Sequence, residues 1–254
     1  MGITFLTGAS SGIGRSLSLR LAASGESIAA IARRRDLLDS LVAEIEAGGG
    51  RALAVPCDVT DPDAVREGFA HAASDLGAPT RLIANAGGAT PGGKGNDAFS
   101  AENFKASIEL NLLSVAYCVE AVLPAMLERG SGHLVCTSSL AGVRGLPGAA
   151  SYSAAKGALT NFMESLRIEL RPRGIDVTVI LPGFVRNRPA AKKRRPFVVE
   201  LEDATARMQR VIEARRSYDA FPLGLVALVN LGRLLPAALY DRLLGRASTG
   251  LGDG

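Results

Sequence analysis

The most restrictive feature of this sequence is its alternation of short apolar runs with longer stretches of helical period. The runs Ile3–Thr7, Ser27–Ala32, Ala52–Cys57, Arg81–Ala84, His133–Ser138 and Asp176–Leu181 have strand length, and each ends in a turn. Helix-like periodicity follows, as in Arg15–Ala23 and Asp36–Ala47. Strands separated by helices cannot pair as hairpins. They pair in parallel through right-handed crossovers, which lay helices on both faces of one sheet. The expectation is a doubly wound α/β fold. At 254 residues, 47% apolar and 21% charged, the chain suffices for one core and is short for two, so a single domain over residues 1–254 is expected.

Composition removes several function classes. The net charge is +4, and the basic residues are scattered among acids, so no nucleic-acid partner is expected. Cys57, Cys118 and Cys136 share no CxxC spacing and read as reduced, buried thiols of a cytoplasmic protein. His71 and His133 do not pair with other ligand types at metal spacing, so no metal is expected. The N-terminus lacks the cationic start of a signal peptide, and Leu6 stands where a myristoylation motif wants Ser or Thr.

The first strand runs into Thr7-Gly8-Ala9-Ser10-Ser11-Gly12-Ile13-Gly14 and then into a helix. Glycines there allow a tight turn and bring backbone N–H groups close to a pyrophosphate at the helix N-terminus. An ordinary glycine-rich turn has the same composition. Its placement between the first strand and a long helix points to a Rossmann-like dinucleotide site. In doubly wound sheets such sites lie beyond the carboxyl ends of the strands, where strand order reverses.

Further marks follow in order: Asp58-Val59, Asn85-Ala86-Gly87, Asn111, Ser139, Tyr152-Ser153-Ala154-Ala155-Lys156 and Pro182-Gly183. With the TGxxxGxG loop, this series resembles the compact short-chain dehydrogenase/reductase family from the first strand to about Leu181. The resemblance implies an oxidoreductase that moves a hydride between a nicotinamide dinucleotide and a carbonyl or alcohol, in a homodimer or homotetramer. It implies cofactor contacts from Gly8, Ser10, Ser11, Gly12, Ile13 and Gly14, and from Asn85, Ala86, Gly87, Tyr152, Lys156, Pro182, Gly183 and Val185. Asp58 would hydrogen-bond the adenine amino group, and Val59 would pack on its ring.

The second strand meets Arg33-Arg34-Arg35, where NAD enzymes carry an acid for the ribose diol. Guanidinium groups suit a 2′-phosphate that a carboxylate would repel. A solvated basic turn is the other reading. The missing acid favours NADP over NAD, with Arg33 and Arg34 as the phosphate contacts.

Tyr152 and Lys156 are one helical turn apart, so they share a face. A nearby ammonium favours the phenolate, so the tyrosine pKa is expected to fall from about 10 toward neutrality. Alone, the pair is a common helix-surface motif. The resemblance assigns Tyr152 as general acid/base, and it selects Ser139 over Ser138 because its serine lies thirteen residues before the tyrosine. Ser139 would orient the carbonyl oxygen, Lys156 would bind the nicotinamide ribose, and Asn111 would hold a water in a proton relay. Where the family has PGxxxT, this chain has Asn187.

Residues 184–254 are expected to shape the substrate pocket. They hold a basic run, Lys192-Lys193-Arg194-Arg195, and an amphipathic helix around Ala204–Arg216. Phe221–Tyr240 is leucine-rich with one charge, Arg233. Asn230, Arg233 and Pro236 argue against a membrane span and for two short helices broken near Gly232 or Pro236. These could pack as core, form a dimer face or lie on a membrane surface. A silent NADP-binding scaffold would retain the loop without turnover. A sugar-nucleotide epimerase would carry TGxxGxxG and a longer C-terminal region.

Overall fold

Seven parallel strands form the main sheet of this computed structural model, which describes residues 2–88, 100–186 and 197–249. The first half of the chain runs β1 (Ile3–Thr7), α1 (Gly12–Ala23), β2 (Ser27–Ala32), α2 (Arg35–Ala47), β3 (Arg51–Pro56), α3 (Pro62–Leu76) and β4 (Arg81–Ala84). Next come α4 (Ala101–Ile108), a π-helical turn at Glu109–Leu113, α5 (Ser114–Arg129), β5 (Gly132–Thr137), α6 (Ala150–Leu170) and β6 (Ile175–Pro182). The remainder is β7 (Val185–Arg186), β8 (Val199–Glu200), α7 (Leu201–Glu213), β9 (Tyr218–Phe221), α8 (Leu223–Leu234) and α9 (Ala237–Thr249). The main sheet has the order β3-β2-β1-β4-β5-β6-β9, while β7 and β8 pair separately.

Alternation along each strand builds two cores, because successive side chains leave opposite faces. Ala29 and Ile31 of β2 join Phe5 and the inward residues of α3, α5 and α6. Ile28 and Ala30 join Leu6 and those of α1, α2 and α7. Both faces are thus covered, which is why the strands read as continuous apolar runs. The sheet is the doubly wound Rossmann-like fold anticipated from the alternation.

The six expected strands lie within a residue of their expected limits. The seventh, β9, is a finding of the structure. Its four residues, Tyr-Asp-Ala-Phe, give little periodic signal, and Asp219 argues against a buried strand. Arg207 resolves the conflict, since its guanidinium donates to both Asp219 carboxylate oxygens, at 2.7 and 2.9 Å. Such bidentate pairing satisfies a carboxylate that burial would otherwise penalise. The amphipathic helix is α7, three residues earlier at each end than expected. The leucine-rich segment does break at Leu235-Pro236, between α8 and α9. Asn187 and Lys192–Arg195 lie outside the described residues.

Candidate active site

Strand order reverses between β1 and β4, because β2 lies on one side of β1 and β4 on the other. The loops leaving these two strands meet there. Gly8 has φ +71°, and a Cβ on it would stand 3.0 Å from Ala86 Cα. A Cβ on Gly14 would stand 2.2 Å from the Gly8 carbonyl oxygen. Thr7 Oγ1 accepts from the N–H groups of Asn85 and Ala86 at 3.1 and 3.0 Å. Thr137 Oγ1, at the end of β5, donates to Asn85 Oδ1 at 3.2 Å. Three strand ends are therefore laced side by side, and a cleft of about 970 Å³ opens above them.

One end of the cleft is built for an anion. Ser11 occupies the N-cap position of α1 yet makes no side-chain cap bond. Its hydroxyl and that of Ser10 instead accept from Arg34 Nη2, at 3.2 and 3.1 Å. The first N–H groups of α1 thus lack their usual side-chain acceptor and sit next to a guanidinium, an arrangement that favours phosphate. Arg33 is exposed, 3.8 Å from Asp58 Oδ2. Asp58 Oδ1 accepts from the backbone and hydroxyl of Thr60, at 3.0 and 2.8 Å. Gly12, Ile13, Val59 and Gly87 complete this stretch of wall. The donor set and the glycine-rich, small-residue loop fit a dinucleotide.

At the other end stand Ser139, Tyr152 and Lys156, with Pro182, Gly183 and Val185 on the facing lip. Ser138 fixes this wall. Its N–H donates to the Ile180 carbonyl at 2.8 Å, and its hydroxyl bonds to the Lys156 carbonyl at 3.0 Å and Thr160 Oγ1 at 2.8 Å. The turn after Ser139 then lies directly on α6, where a Cβ on Gly142 would be 2.7 Å from Gly157 N. Ser139 Oγ accepts from the Ala141 N–H at 3.1 Å.

The electrostatics correct one expectation. Lys156 Nζ is buried, donates to the Thr137 carbonyl at 2.9 Å, and lies 5.9 Å from the Tyr152 ring centroid. Burial lowers the Lys156 pKa to about 8. Burial also raises that of Tyr152 above its ordinary value, and the hydrogen bond with Ser139 opposes this only in part. Burial thus favours the neutral phenol, and the net shift runs opposite to the expected fall toward neutrality.

Two expected residues stand behind the wall. Gly14 packs on the Gly8 carbonyl and does not line the cleft. Asn111, fully buried in the π-helical turn, bonds both the N–H and the carbonyl of Gly88 at 2.9 and 3.0 Å, and the Ser107 carbonyl at 3.1 Å. These bonds brace the Asn85–Gly88 turn from behind. Gly87 leaves room between them, since a Cβ there would be 2.8 Å from Asn111 Oδ1 and 3.0 Å from Lys156 Nζ. Thr7 and Thr137 were not singled out by sequence reading. Both act on partners far along the chain.

The family model for short chain dehydrogenases matches residues 3–197. The chain belongs to that family. It is 41% identical over 239 residues to an uncharacterized oxidoreductase of Myxococcus xanthus, covering 93% of each chain. It is 36% identical over 188 residues to a 3-oxoacyl-[acyl-carrier-protein] reductase of Synechocystis, covering 72% of this chain and 74% of that one. A short-chain dehydrogenase from Streptomyces avermitilis superposes with a TM-score of 0.82 at 28% identity, over 98% of this chain and 99% of the other. The protein is accordingly an oxidoreductase of the short-chain dehydrogenase family, with the nucleotide-binding fold of that family.

Proposed function

We propose that the protein is an NADP(H)-dependent reductase that interconverts a carbonyl and a secondary alcohol. The observation that carries this reading is one continuous cleft with Arg33 and Arg34 at one end and Ser139, Tyr152 and Lys156 at the other. Gly8, Ser10, Ser11, Gly12 and Ile13 would hold the pyrophosphate, Arg33 and Arg34 the 2′-phosphate, and Asp58 and Val59 the adenine. Asn85, Ala86, Gly87 and Lys156 would hold the ribose, and Pro182, Gly183 and Val185 the nicotinamide. When bound, the nicotinamide supplies or accepts the hydride.

The chain's own residues handle the proton. Tyr152, kept protonated by burial, donates its phenolic proton to the carbonyl oxygen. Ser139 donates a second hydrogen bond to that oxygen and orients it. Lys156 holds its place through the Thr137 carbonyl, with a pKa near enough to neutrality to pass a proton onward. The buried Cys57 thiol lines the same cleft, but its pKa is pushed up to about 11, which removes it as a nucleophile.

The test is coenzyme consumption with NADPH and NADH across simple aldehydes, ketosteroids, sugars and long-chain 3-oxo compounds. The similarity to a 3-oxoacyl reductase is the reason for the last class. NADPH-preferring turnover is expected, and Tyr152→Phe should lose about 10²–10⁴-fold in kcat/KM with NADPH binding retained. Tight NADPH binding without turnover on any substrate would instead favour a binding-only scaffold. A strong preference for NADH would overturn the reading of Arg33 and Arg34.

A further inference from the structure

Helix α8 is apolar on nearly every side, and none of its residues is buried. One stripe, Leu225, Val226 and Val229, packs against the core. Leu223, Leu228, Leu231 and Leu234 face outward, with Leu234 82% exposed. Such a helix needs fixing at its ends. Its N-terminal end abuts the lip of the cleft, where a Cβ on Gly183 would meet Leu225 Cδ2 at 2.6 Å. Phe197 closes over the same end, its ring 2.6 Å from the Cβ position of Gly224.

The C-terminal end has no glycine to terminate it, because Leu235 and Pro236 follow. Orphan carbonyls there require a donor from elsewhere. Arg144 supplies it. Its Nη1 donates to the Gly232 carbonyl and, at 2.9 Å, to that of Leu235. The same guanidinium lies 3.7 Å from the centroid of the Tyr240 ring on α9. Tyr240 in turn donates its hydroxyl proton to the Gly145 carbonyl at 2.9 Å. A planar cation thus caps one helix, stacks on the next, and fastens both to the loop that joins Ser139 to Tyr152. A helix of this length spans about 18 Å. It therefore runs from Gly183, on the lip of the cleft, to Arg144, in the segment that joins Ser139 to Tyr152.

We propose that Arg144 and Tyr240 form a latch that holds α8 against the Gly183 lip of the cleft, making Arg144 a positioning residue for ketones with an apolar body. The apolar preference follows from the helix itself, whose contact with the Gly183 lip is a leucine and whose single charge, Arg233, lies at the far end. The substrate part of this inference rests on the carbonyl-reductase reading above.

Two measurements on wild type, Arg144→Gln and Tyr240→Phe test it. Hydrogen exchange reads the latch without any turnover. Amides of residues 223–234 should exchange about tenfold faster in Arg144→Gln, with β-sheet amides unchanged. Tyr240→Phe keeps the ring and loses one hydrogen bond, so a smaller change in the same direction is expected. Unchanged exchange in both variants overturns the latch. Kinetics with a four-carbon ketone and a long-chain 3-oxo ester read the positioning role. In Arg144→Gln, KM for the long ester should rise about tenfold at nearly constant kcat, with the small ketone little affected. Equal changes for both substrates reduce Arg144 to a helix cap and overturn the positioning role. If the wild type reduces neither, the carbonyl reading fails and the positioning role falls with it, while exchange still judges the latch.

Discussion

An ammonium enclosed by protein costs the fold free energy, and Lys156 is held in that state. Its folded pKa of about 8 lies below the ordinary 10.5, so between those values the unfolded chain binds more protons than the native one. The cost is fully present below pH 8 and is relieved as pH rises toward 10.5; it amounts to about 3 kcal/mol. Lys156→Met should therefore lose turnover while its thermal midpoint at pH 7 stays level or rises. A midpoint several degrees lower would show that the bond to Thr137 outweighs desolvation. The raised Tyr152 pKa has a kinetic counterpart. A neutral phenol is a ready acid and a scarce base, so alcohol oxidation should climb as pH rises toward 10, while ketone reduction stays flat from pH 6 to about 8. Flat oxidation across that range would remove Tyr152 as the base. Tyr152 and Lys156 were legible in the sequence through the ordered motif series and the resemblance it carries, since a spacing of four by itself places them only on one helix face. The direction of the tyrosine shift was not, since it depends on burial and on where Nζ points. Arg144 was invisible for a related reason: its carbonyl acceptors lie 88 and 91 residues away.

At the scale of the element, β5 carries an acid-sensitive group. His133 is fully buried at its start, and burial, with Arg81 and Arg215 nearby, pushes its pKa down to about 3. Arg81 Nε can only donate, and it lies 3.2 Å from His133 Nδ1, so the ring proton sits on Nε2 and points to Thr178 Oγ1 at 2.8 Å. Thr178 passes its own proton to the Arg216 carbonyl at 2.7 Å. This chain ties β4, β5 and β6 together at the end of the sheet opposite the cleft. Protonation of the imidazole would break it. Because the folded pKa lies below the unfolded value of 6.5, stability falls as pH drops through 6.5 toward 3. From pH 6.5 to 5 the loss attributable to His133 is about 2 kcal/mol. In chemical denaturation, His133→Gln should be less stable than wild type at pH 7 but lose about 2 kcal/mol less on moving to pH 5. Equal losses in the two proteins would assign the acid sensitivity elsewhere. β5 itself was easy to read from sequence as an apolar run, whereas β9 was not. A four-residue strand bearing Asp219 becomes intelligible only once Arg207 is seen against it.

For the molecule as a whole, the doubly wound sheet was legible because each strand is buried on both faces and each crossover is helical, so period and order suffice. The placement of α8 and α9 was not, because it depends on contacts to distant residues, such as Arg144 with Gly232 and Leu235, that no local period reports. The cleft joins the ends of β1, β2, β4, β5 and β6, so a dinucleotide lying along it binds the folded sheet and not the open chain. By mass action, NADPH at a hundred times its Kd should add about 2.7 kcal/mol, raising the thermal midpoint by about 5–10 °C. NADH at the same concentration should raise it less, since it offers Arg33 and Arg34 no 2′-phosphate. The two arginines should then separate. Arg33 is exposed and paired only loosely with Asp58, so Arg33→Ala should narrow the gap between coenzymes and leave the NADH shift alone. Arg34 also braces Ser10 and Ser11, so Arg34→Ala should reduce both shifts and the gap together. Added salt should shrink the NADPH advantage, because an exposed guanidinium–phosphate contact is screened. Equal midpoint shifts by the two coenzymes in the wild type would put the 2′-phosphate beyond the reach of either arginine, whatever the turnover.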